Sequence, residues 1–354
     1  MARSMSNGCI SILSYVAALA VGVVVAPSQA SAQTTIDGGN LGTQTWTSGN
    51  SPYTVLGDAN VQTGATLTIE SGVEVRFATS DAASAGRDST RVELTIDGAI
   101  DVTGTSNAPV VFRADGSTSA GEWYGIVLGP GTSSADFTHA EIRHADYGIL
   151  SEAAGTAFSA THVTTEKHVY EGIHIDDGSA TLRHIRSSAN IGDGIYVGAG
   201  ADATVEHAIV AENDVGIRIV QDSATSSDSL IDYSTAWQND GAGVLLDGGG
   251  DASRVLTVNN SIAIDNGGGG FAKNPSSASA AQVDYSIAWN NSGNDFHALV
   301  PGNDAFVANP LFVSSTNPTP TSNSPARFAS DAGTDIGALP YDGDATPGFY
   351  GVLW

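Results

Sequence analysis

Cysteine, basic residues and long apolar runs are scarce in this sequence of 354 residues, and each shortage excludes a class of protein. The one cysteine, Cys9, lies near the amino terminus, so the rest of the chain has no disulfide framework, thiolate metal site or cysteine nucleophile. Thirteen Lys and Arg residues stand against 38 Asp and Glu residues, for a formal charge of −25. Such a surface repels a phosphate backbone, so we expect no nucleic-acid partner.

The apolar segment near the amino terminus is typical of an export signal. Arg3 precedes an apolar stretch from Ile10 to Ala26, and Ala30-Ser31-Ala32 supplies small residues before Gln33. The stretch is shorter than a membrane-spanning helix needs, which disfavours the alternative of a membrane anchor. We therefore predict a signal peptide over residues 1–32 and no transmembrane segment after its cleavage. The mature protein is expected to be secreted or at the cell surface, with the bacterial periplasm left open.

Glycine and apolar residues are abundant by contrast. The sequence holds 42 glycines, 41% hydrophobic residues and only 14% charged residues. The hydrophobic fraction is large enough to build a core, while the glycines and small polar residues favour a turn-rich β protein.

Three columns of residues recur in step along the chain. Glycines that precede alternating apolar residues return every 22 to 27 residues, at Gly125, Gly148, Gly172, Gly194, Gly216, Gly243 and Gly270. A second column lies about ten residues before these glycines, at His139, His162, His184, His207, Tyr233, Asn260 and Tyr285. A third column lies in the turns, at Asn190, Asn213, Asn239, Asn266 and Asn291.

This repeat predicts a solenoid of short strands. Each repeat contains two or three alternating strands and polar turns, without a helical period. One repeat cannot bury its apolar face alone, whereas stacked turns of chain form parallel sheets around a continuous core. A turn of 22 to 27 residues is the size of a three-sheet coil. We therefore predict an all-β fold, a right-handed three-sheet parallel β-helix with capping segments at both ends.

The flanking segments resemble those of a known family. The opening segments are Ser51–Val55, Thr63–Glu70, Gly72–Phe77, Leu94–Gly98, Pro109–Phe112 and Trp123–Ile126, and the closing ones are Asn309–Phe312, Ser324–Ala326, Asp331–Gly333 and Asp335–Ala338. They are similar to the corresponding parts of secreted bacterial right-handed parallel β-helix proteins of the pectate-lyase-like superfold. The resemblance implies the fold, but the superfold hosts lyases, hydrolases, epimerases and adhesins.

The predicted organisation follows from the signal, the repeats and the resemblance. The signal peptide at 1–32 is followed by the β-helix over 33–308, with an N-terminal cap at 33–60, opening coils at 61–124 and glycine-anchored repeats at 125–308. A proline-rich closing segment covers 309–354. Because proline cannot donate to a strand ladder, we expect this segment to wrap around the solenoid rather than to pair.

A candidate site lies on the glycine-anchored strands, where alternate residues face outward. In-register stacking of three repeats aligns His174, Tyr196 and Arg218 on one face, the set that we nominate as catalytic. In a lyase or epimerase for uronic-acid polymers, Arg neutralises the carboxylate while His and Tyr exchange protons. Asp176 and Asp177 follow His174 and, with Tyr196 and Arg218, form the predicted ligand-binding set. Asp176 is placed to orient His174 or to bind Ca²⁺.

Two metal hypotheses also remain open. His139, His162, His184 and His207 repeat at equivalent positions, so outward imidazoles could hold Zn²⁺, Ni²⁺ or Cu²⁺. The column continues as Tyr and Asn, which favours a structural stack of planar groups over a metal site. Two acidic turns, Asp247–Asp251 and Asp265–Gly267, are weak candidates for Ca²⁺. Ca²⁺ is thus the one cofactor that the sequence leaves open.

Two functions follow from these features. The first is a non-catalytic exported β-helix that binds a polysaccharide or cell-surface glycan, or serves as an envelope scaffold or adhesin. The alternative is a polysaccharide lyase or C5-epimerase that uses His174, Tyr196 and Arg218. The same row of strand residues also has an ordinary packing use, so we rank binding ahead of catalysis.

The export signal is testable on the protein itself. When the full chain is expressed in a bacterial host with a general secretion pathway, the exported form should begin at Gln33, because the small residues before it suit signal peptidase. Edman sequencing or intact-mass measurement of the exported protein would show this start. An exported protein that retains Met1 would contradict the assignment.

Overall fold

Short strands separated by turns make up the residues that the structure describes, 33–221, 228–248 and 254–343 of a computed structural model. Within these ranges the helical element is a single 3₁₀ turn at Ser48–Asn50, and none of the helical structure is long and apolar enough to cross a membrane. The predicted signal peptide, part of the acidic turn Asp247–Asp251 and the last eleven residues, 344–354, lie outside the described residues.

The strands are mostly three to five residues long, and four are longer. The opening coils contain β1 (Thr34–Ile36), β2 (Gly39–Leu41), β3 (Gln44–Trp46), β4 (Tyr53–Val55), β5 (Ala59–Val61), β6 (Thr66–Glu70), β7 (Glu74–Phe77), β8 (Glu93–Ile96), β9 (Ala99–Thr103), β10 (Val110–Ala114) and β11 (Gly125–Leu128). The middle coils contain β12 (Ser134–Arg143), β13 (Ile149–Ser151), β14 (Ala157–Glu166), β15 (Ile173–Arg183), β16 (Arg186–Ser188), β17 (Ile195–Glu206), β18 (Ile209–Ala211), β19 (Ile217–Val220), β20 (Leu230–Asp232), β21 (Thr235–Trp237) and β22 (Val244–Asp247). The last coils and the closing segment contain β23 (Val255–Asn259), β24 (Ile262–Ile264), β25 (Phe271–Lys273), β26 (Ala280–Asp284), β27 (Ile287–Trp289), β28 (Phe296–His297), β29 (Phe306–Val307), β30 (Phe312–Ser314) and β31 (Asn317–Pro320).

The pairings sort these strands into three parallel sheets. The first sheet runs β2-β5-β8-β11-β13-β15-β17-β19-β22-β25-β28. The second runs β3-β6-β9-β12-β14-β15-β17-β20-β23-β26. The third runs β1-β4-β7-β10-β12-β14-β16-β18-β21-β24-β27-β29. Each coil of chain adds one strand to each sheet, so the predicted three-sheet parallel β-helix is confirmed.

The inward residues of the first sheet form part of the core. Ile173 and Ile175 of one coil stack on Ile195 and Val197 of the next, and all four are fully buried. The glycine that precedes each such strand is needed because successive coils approach closely there. A Cβ atom on Gly148 or Gly216 would clash with the carbonyl oxygen of the glycine one coil further on. The glycine column is therefore a packing requirement.

The column of histidines lies at the bend between the second and third sheets. His139, His162, His184 and His207 all adopt left-handed backbone conformations, with φ between 50° and 56°. Their rings stack with centroids 4.5, 4.5 and 4.9 Å apart, and Tyr233 continues the stack at 5.3 Å. These distances match the spacing between neighbouring strands. The column is a stacked ladder that marks one corner of every coil.

The asparagine column forms a second ladder inside the turn between the third and first sheets. Asn239 shows the pattern: its Oδ1 accepts hydrogen bonds from the backbone N–H and the side-chain amide of Asn213, while its Nδ2 donates to Val210 O and Asn266 Oδ1. Asn239 is 2% exposed. A buried amide without hydrogen-bond partners is costly. The repeated pattern gives every buried amide its partners, and it fixes the position of each turn relative to the turn of the next coil.

His168 occupies the same column one coil before Asn190 and imitates the amide. Its Nδ1 accepts from the backbone N–H of Ala145, as an Asn Oδ1 does, and its Nε2–H donates to Ile142 O, as an Asn Nδ2 does. The ring is fully buried, and burial lowers its pKa to about 3. The Ala145 N–H also occupies the lone pair that protonation needs, so the ladder holds this imidazole neutral.

The ends of the chain differ from the sequence-based expectation in two respects. Residues 33–60, predicted as a cap, supply β1 to β5, which pair in parallel with the following coil. The strand ladder of the described residues therefore begins at Thr34. The second difference is a small antiparallel hairpin of β30 and β31 within the proline-rich closing segment, which joins none of the three parallel sheets. Beyond it, the backbone N–H of Gly337 donates to Asn260 O, which attaches the segment to the side of the solenoid.

His168 makes the stability of the fold depend on pH. Below pH 6.5 the unfolded chain protonates this histidine while the folded chain does not, so the free energy of unfolding falls as pH decreases towards 3. The expected loss from this residue is about 3 kcal/mol between pH 7 and pH 4. His168→Asn introduces the residue type that the next five coils have at this position, which makes the same hydrogen bonds, and should remove most of that loss.

Urea unfolding at several pH values measures the effect. The buried carboxyls of Asp58 and Asp146, whose pKa values burial raises to about 6, act in the opposite sense in both proteins, so the difference between wild type and variant isolates His168. His297→Asn, at a partly exposed histidine of the last coil, is the matched control. Equal pH dependence in wild type and His168→Asn would show that the ring is not held neutral.

Candidate functional site

The outward residues of the first sheet form a row across three coils, which we call the strand row. His174 of β15 is in register with Tyr196 of β17, and Tyr196 is in register with Arg218 of β19. The His174 and Tyr196 ring centroids are 4.5 Å apart. All three side chains are partly exposed. The structure thus brings together the three residues that the sequence nominated as catalytic.

His174 is oriented by a residue that the sequence analysis did not select. Its Nδ1 lies 3.0 Å from Glu171 Oε2, within hydrogen-bond distance. Asp176, the expected orienting group, is 4.0 Å from His174 Nε2 and its side chain is 67% exposed. Glu171 therefore fixes the ring of His174, while Asp176 points largely into solvent.

Asp177 does not face this row. A β-bulge between β15 and β17 shifts the register after Ile175, and Asp177 Oδ1 accepts a hydrogen bond from the backbone N–H of Gly178. With Asp202, its side chain lines a separate depression of about 280 Å³. The predicted ligand-binding set is thus divided, with Tyr196 and Arg218 in the row and Asp177 outside it.

Arg218 is surrounded by carboxylates of its own chain. Its Nε donates to Asp193 Oδ2 at 2.6 Å and its Nη2 to Asp193 Oδ1 at 3.3 Å, a bidentate pair. Its Nη1 donates to Asp247 Oδ2 at 3.1 Å, and Asp214 Oδ2 lies 3.7 Å from Nη2. Burial is the largest single effect on Arg218 and opposes its charge, but the hydrogen bonds and charges of Asp193 and Asp247 together outweigh burial and raise its pKa above the ordinary value.

Burial is the largest effect on the pKa values of Asp193 and Tyr196, which lie beside Arg218. It raises the pKa of Asp193, whose side chain is 5% exposed, despite the opposing effect of Arg218. It also raises the pKa of the Tyr196 phenol, and the nearby carboxylate of Asp176 adds to the effect. Arg218 lowers that pKa by less than the other groups raise it, so the tyrosinate form of Tyr196 is disfavoured in this site.

A second row, which we call the turn row, lies just before the glycine column and was missed by the sequence analysis. It contains Tyr124, Tyr147, Glu171 and Asp193, each immediately before a glycine of the column. The Tyr147 ring stacks on Tyr170 at 4.8 Å and meets the edge of His174 at 5.6 Å. Tyr124, Tyr147 and Tyr170 are spaced 23 residues apart, and this regular interval is the signal that could have revealed them.

The two rows border a shallow groove of about 300 Å³. Its described lining includes Glu171, Asp193, Tyr196, Asp214, Arg218 and Asp247. We call it the acidic groove, because four carboxylates and one guanidinium leave a formal charge of −3. This volume is at the lower end of small-ligand sites. Tyr196 is the aromatic residue of the described lining, and its neighbour His174, bonded to Glu171, connects it to Tyr147 and Tyr170 outside the groove.

The loop between β7 and β8 closes the sheet on the amino-terminal side of the groove. Arg87 of this loop pairs with Glu152, which follows β13, and Arg91 donates to Gly121 O at 2.7 Å. The outward residues Val127 and Leu150 are only 0% and 7% exposed. The solvent-accessible part of this outer face therefore starts at His174, which is also the first residue of the strand row.

The metal candidates occupy other parts of the molecule. The four histidines of the ladder stack face to face at the corner opposite the asparagine turn, and among the described residues no group of three or more His, Cys, Asp or Glu side chains has an arrangement suited to a metal ion. In the turn Asp265–Gly267, the Asn266 side chain is used inside the asparagine ladder, and Asp265 Oδ1 accepts from Asn290. The turn Asp247–Asp251 lies partly outside the described residues, and its Asp247 binds Arg218.

Two family models match this chain, and both describe the fold that the strand pairings show. A family model described as a right-handed β-helix region matches residues 124–309, and one described as a pectate-lyase-like β-helix domain matches residues 39–188. The chain belongs to the right-handed β-helix family. The predicted resemblance to right-handed parallel β-helix proteins of the pectate-lyase-like superfold is thereby confirmed.

Solved structures are similar to this β-helix at low sequence identity. One is the A-module of the mannuronan C-5 epimerase AlgE4 of Azotobacter vinelandii, which is 16% identical with a TM-score of 0.41 and covers 74% of this chain and 71% of that one. Another is the pectate lyase Pel9A, 14% identical with a TM-score of 0.36, covering 80% of this chain and 89% of that one. No curated protein matches the sequence.

Proposed function

We propose that this β-helix is an exported carbohydrate-binding protein that holds a glycan chain along its first sheet without turning it over. The observation that carries the proposal is the connected set of aromatic rings beside the acidic groove. The Tyr147 ring contacts those of Tyr124, Tyr170 and His174, and the His174 ring contacts that of Tyr196, at centroid distances between 4.5 and 5.7 Å.

Such a surface suits a sugar chain. The C–H face of a pyranose ring is apolar and buries area against an aromatic ring, while its hydroxyls hydrogen-bond to carboxylates at the edge. Tyr170 is 47% exposed, and Ile191, which lies one coil further on, is 70% exposed. An exposed ring and an exposed aliphatic side chain next to polar groups are typical of a binding surface rather than of an ordinary sheet face.

The electrostatics of the row favour binding over catalysis. Proton abstraction by Tyr196 needs a phenol whose pKa is lowered, but burial raises it. Neutralisation of a uronate needs a free guanidinium, but Arg218 is held by Asp193 and Asp247. The alternative, a polysaccharide lyase or C5-epimerase using His174, Tyr196 and Arg218, retains one favourable observation, the alignment of the three side chains in register.

Binding and turnover can be separated in one series of measurements. The mature protein is applied to arrays of plant, algal and bacterial polysaccharides, with and without Ca²⁺, to identify the ligands that it binds. Each bound ligand is then incubated with the protein. The absorbance of unsaturated uronate reports lyase products, and NMR of the C5 configuration reports epimerase products. We expect binding without either product. Tyr196→Ala and Tyr147→Ala should each weaken binding about tenfold, since loss of one stacked ring removes about 1 to 2 kcal/mol.

Tyr233→Ala is the matched control, because this tyrosine stacks on His207 in the corner ladder and lies outside the groove. It should leave binding unchanged. Product formation that is abolished by Tyr196→Phe would establish the lyase or epimerase instead. Absence of binding to every polysaccharide would refute the carbohydrate function itself.

A further inference from the structure

The charge of the acidic groove restricts the class of sugar that it can accept, given the proposed carbohydrate function. The only guanidinium in its described lining, Arg218, already makes two hydrogen bonds to Asp193 and one to Asp247. Breaking the bidentate pair would leave Asp193, 5% exposed, as a buried and unpaired carboxylate. Removing one partner of such a pair is strongly unfavourable. A ligand carboxylate therefore gains no free cation here.

The remaining carboxylates of the groove differ in exposure. Asp214 has a side chain that is 56% exposed and meets Arg218 only at 3.7 Å. Glu171 is engaged by the neutral or charged ring of His174 at 3.0 Å and lies beside Tyr147 and Tyr170 in the turn row. Acidic acceptors thus lie next to the aromatic surface on which a sugar ring would stack, so the groove offers negative charge where sugar substituents would project.

We propose that the acidic groove binds a cationic amino sugar, with the sugar ring on Tyr196 and its neighbouring aromatic rings and with ammonium groups at Glu171 or Asp214. An ammonium group donates up to three hydrogen bonds and carries the charge that offsets the formal charge of −3. Arg218 keeps Asp193 in place and is a positioning residue. A uronic acid has the wrong sign for this groove, and an N-acetylated sugar has the right shape without the charge.

Three oligosaccharides of equal length test the inference by isothermal titration calorimetry at pH 5.5 and low salt. They are the β-1,4-linked pentamers of glucosamine and of N-acetylglucosamine, which differ only in the charge and the acetyl group, and pentagalacturonate with and without Ca²⁺. We expect the glucosamine pentamer to bind at least tenfold more tightly than either of the others. The preference should shrink in 0.5 M NaCl, because exposed charge pairs are screened.

Variants locate the effect on the protein. Asp214→Asn and Glu171→Gln should each weaken glucosamine binding about threefold to tenfold and weaken N-acetylglucosamine binding by a smaller factor, because only the first ligand loses a charge pair. Asp177→Asn is the matched control, because this carboxylate lies in the separate depression beyond the bulge. Arg218→Gln makes the groove more negative, so a correctly folded variant should bind glucosamine at least as well as wild type, whereas loss of binding would assign the ligand contact to Arg218.

The outcomes distinguish this inference from the function on which it rests. If Arg218→Gln does not fold, as thermal melting would show, Asp214→Asn still decides the matter because Asp214 is exposed and makes no hydrogen bond to Arg218. Equal or tighter binding of N-acetylglucosamine or of galacturonate, dependent on Tyr147 and Tyr196, overturns the amino-sugar inference and leaves carbohydrate binding intact. If none of the three oligosaccharides binds, the result contradicts both the amino-sugar inference and the proposed carbohydrate function.

Discussion

The side-chain amide ladder in the turn before the first sheet is the interaction on which the rest of the structure depends. Each rung ties a buried Asn both to the coil before it and to the coil after it, as the four hydrogen bonds of Asn239 show. A parallel sheet alone tolerates slippage between equivalent strands, but an amide that must pair in a buried turn does not. The ladder therefore fixes every coil in one register from His168 to Asn291.

The candidate site is a consequence of that register. Asp193 follows the ladder residue Asn190 by three positions, so the turn that the ladder holds also presents the carboxylate that receives Arg218 from the next coil. The strand row is aligned in the same way, since Tyr196 can lie between His174 and Arg218 only when three strands start at equivalent residues. One structural constraint thus produces the aromatic surface, the buried ion pair and the excess of carboxylates together.

The repeats made much of this architecture predictable from sequence. The glycine column marks where coils approach too closely for a Cβ atom, and the alternation after it correctly placed Ile173 and Ile175 in the core and His174 outside. The repeats did not allow us to predict which side chains pair with each other across neighbouring coils. Nothing in the spacing indicated that Arg218 would pair with Asp193, 25 residues earlier in the chain.

Irregular segments account for the other differences. The bulge after Ile175 turns Asp177 away from the groove, and the loop between β7 and β8 covers Val127 and Leu150, which alternation alone places outside. Insertions of this kind break the repeat, so a period found in sequence carries no information about what they cover. The tyrosines of the turn row do follow the period, and they escape notice only when the strands alone are searched.

A crystal structure of the mature protein with a bound glucosamine pentamer tests the account most directly. The account predicts sugar rings over Tyr147 and Tyr196, an ammonium group at hydrogen-bond distance from Asp214 or Glu171, and Arg218 still paired with Asp193. Sugar bound on another face of the solenoid, or Arg218 released from Asp193 to contact the ligand, would contradict it.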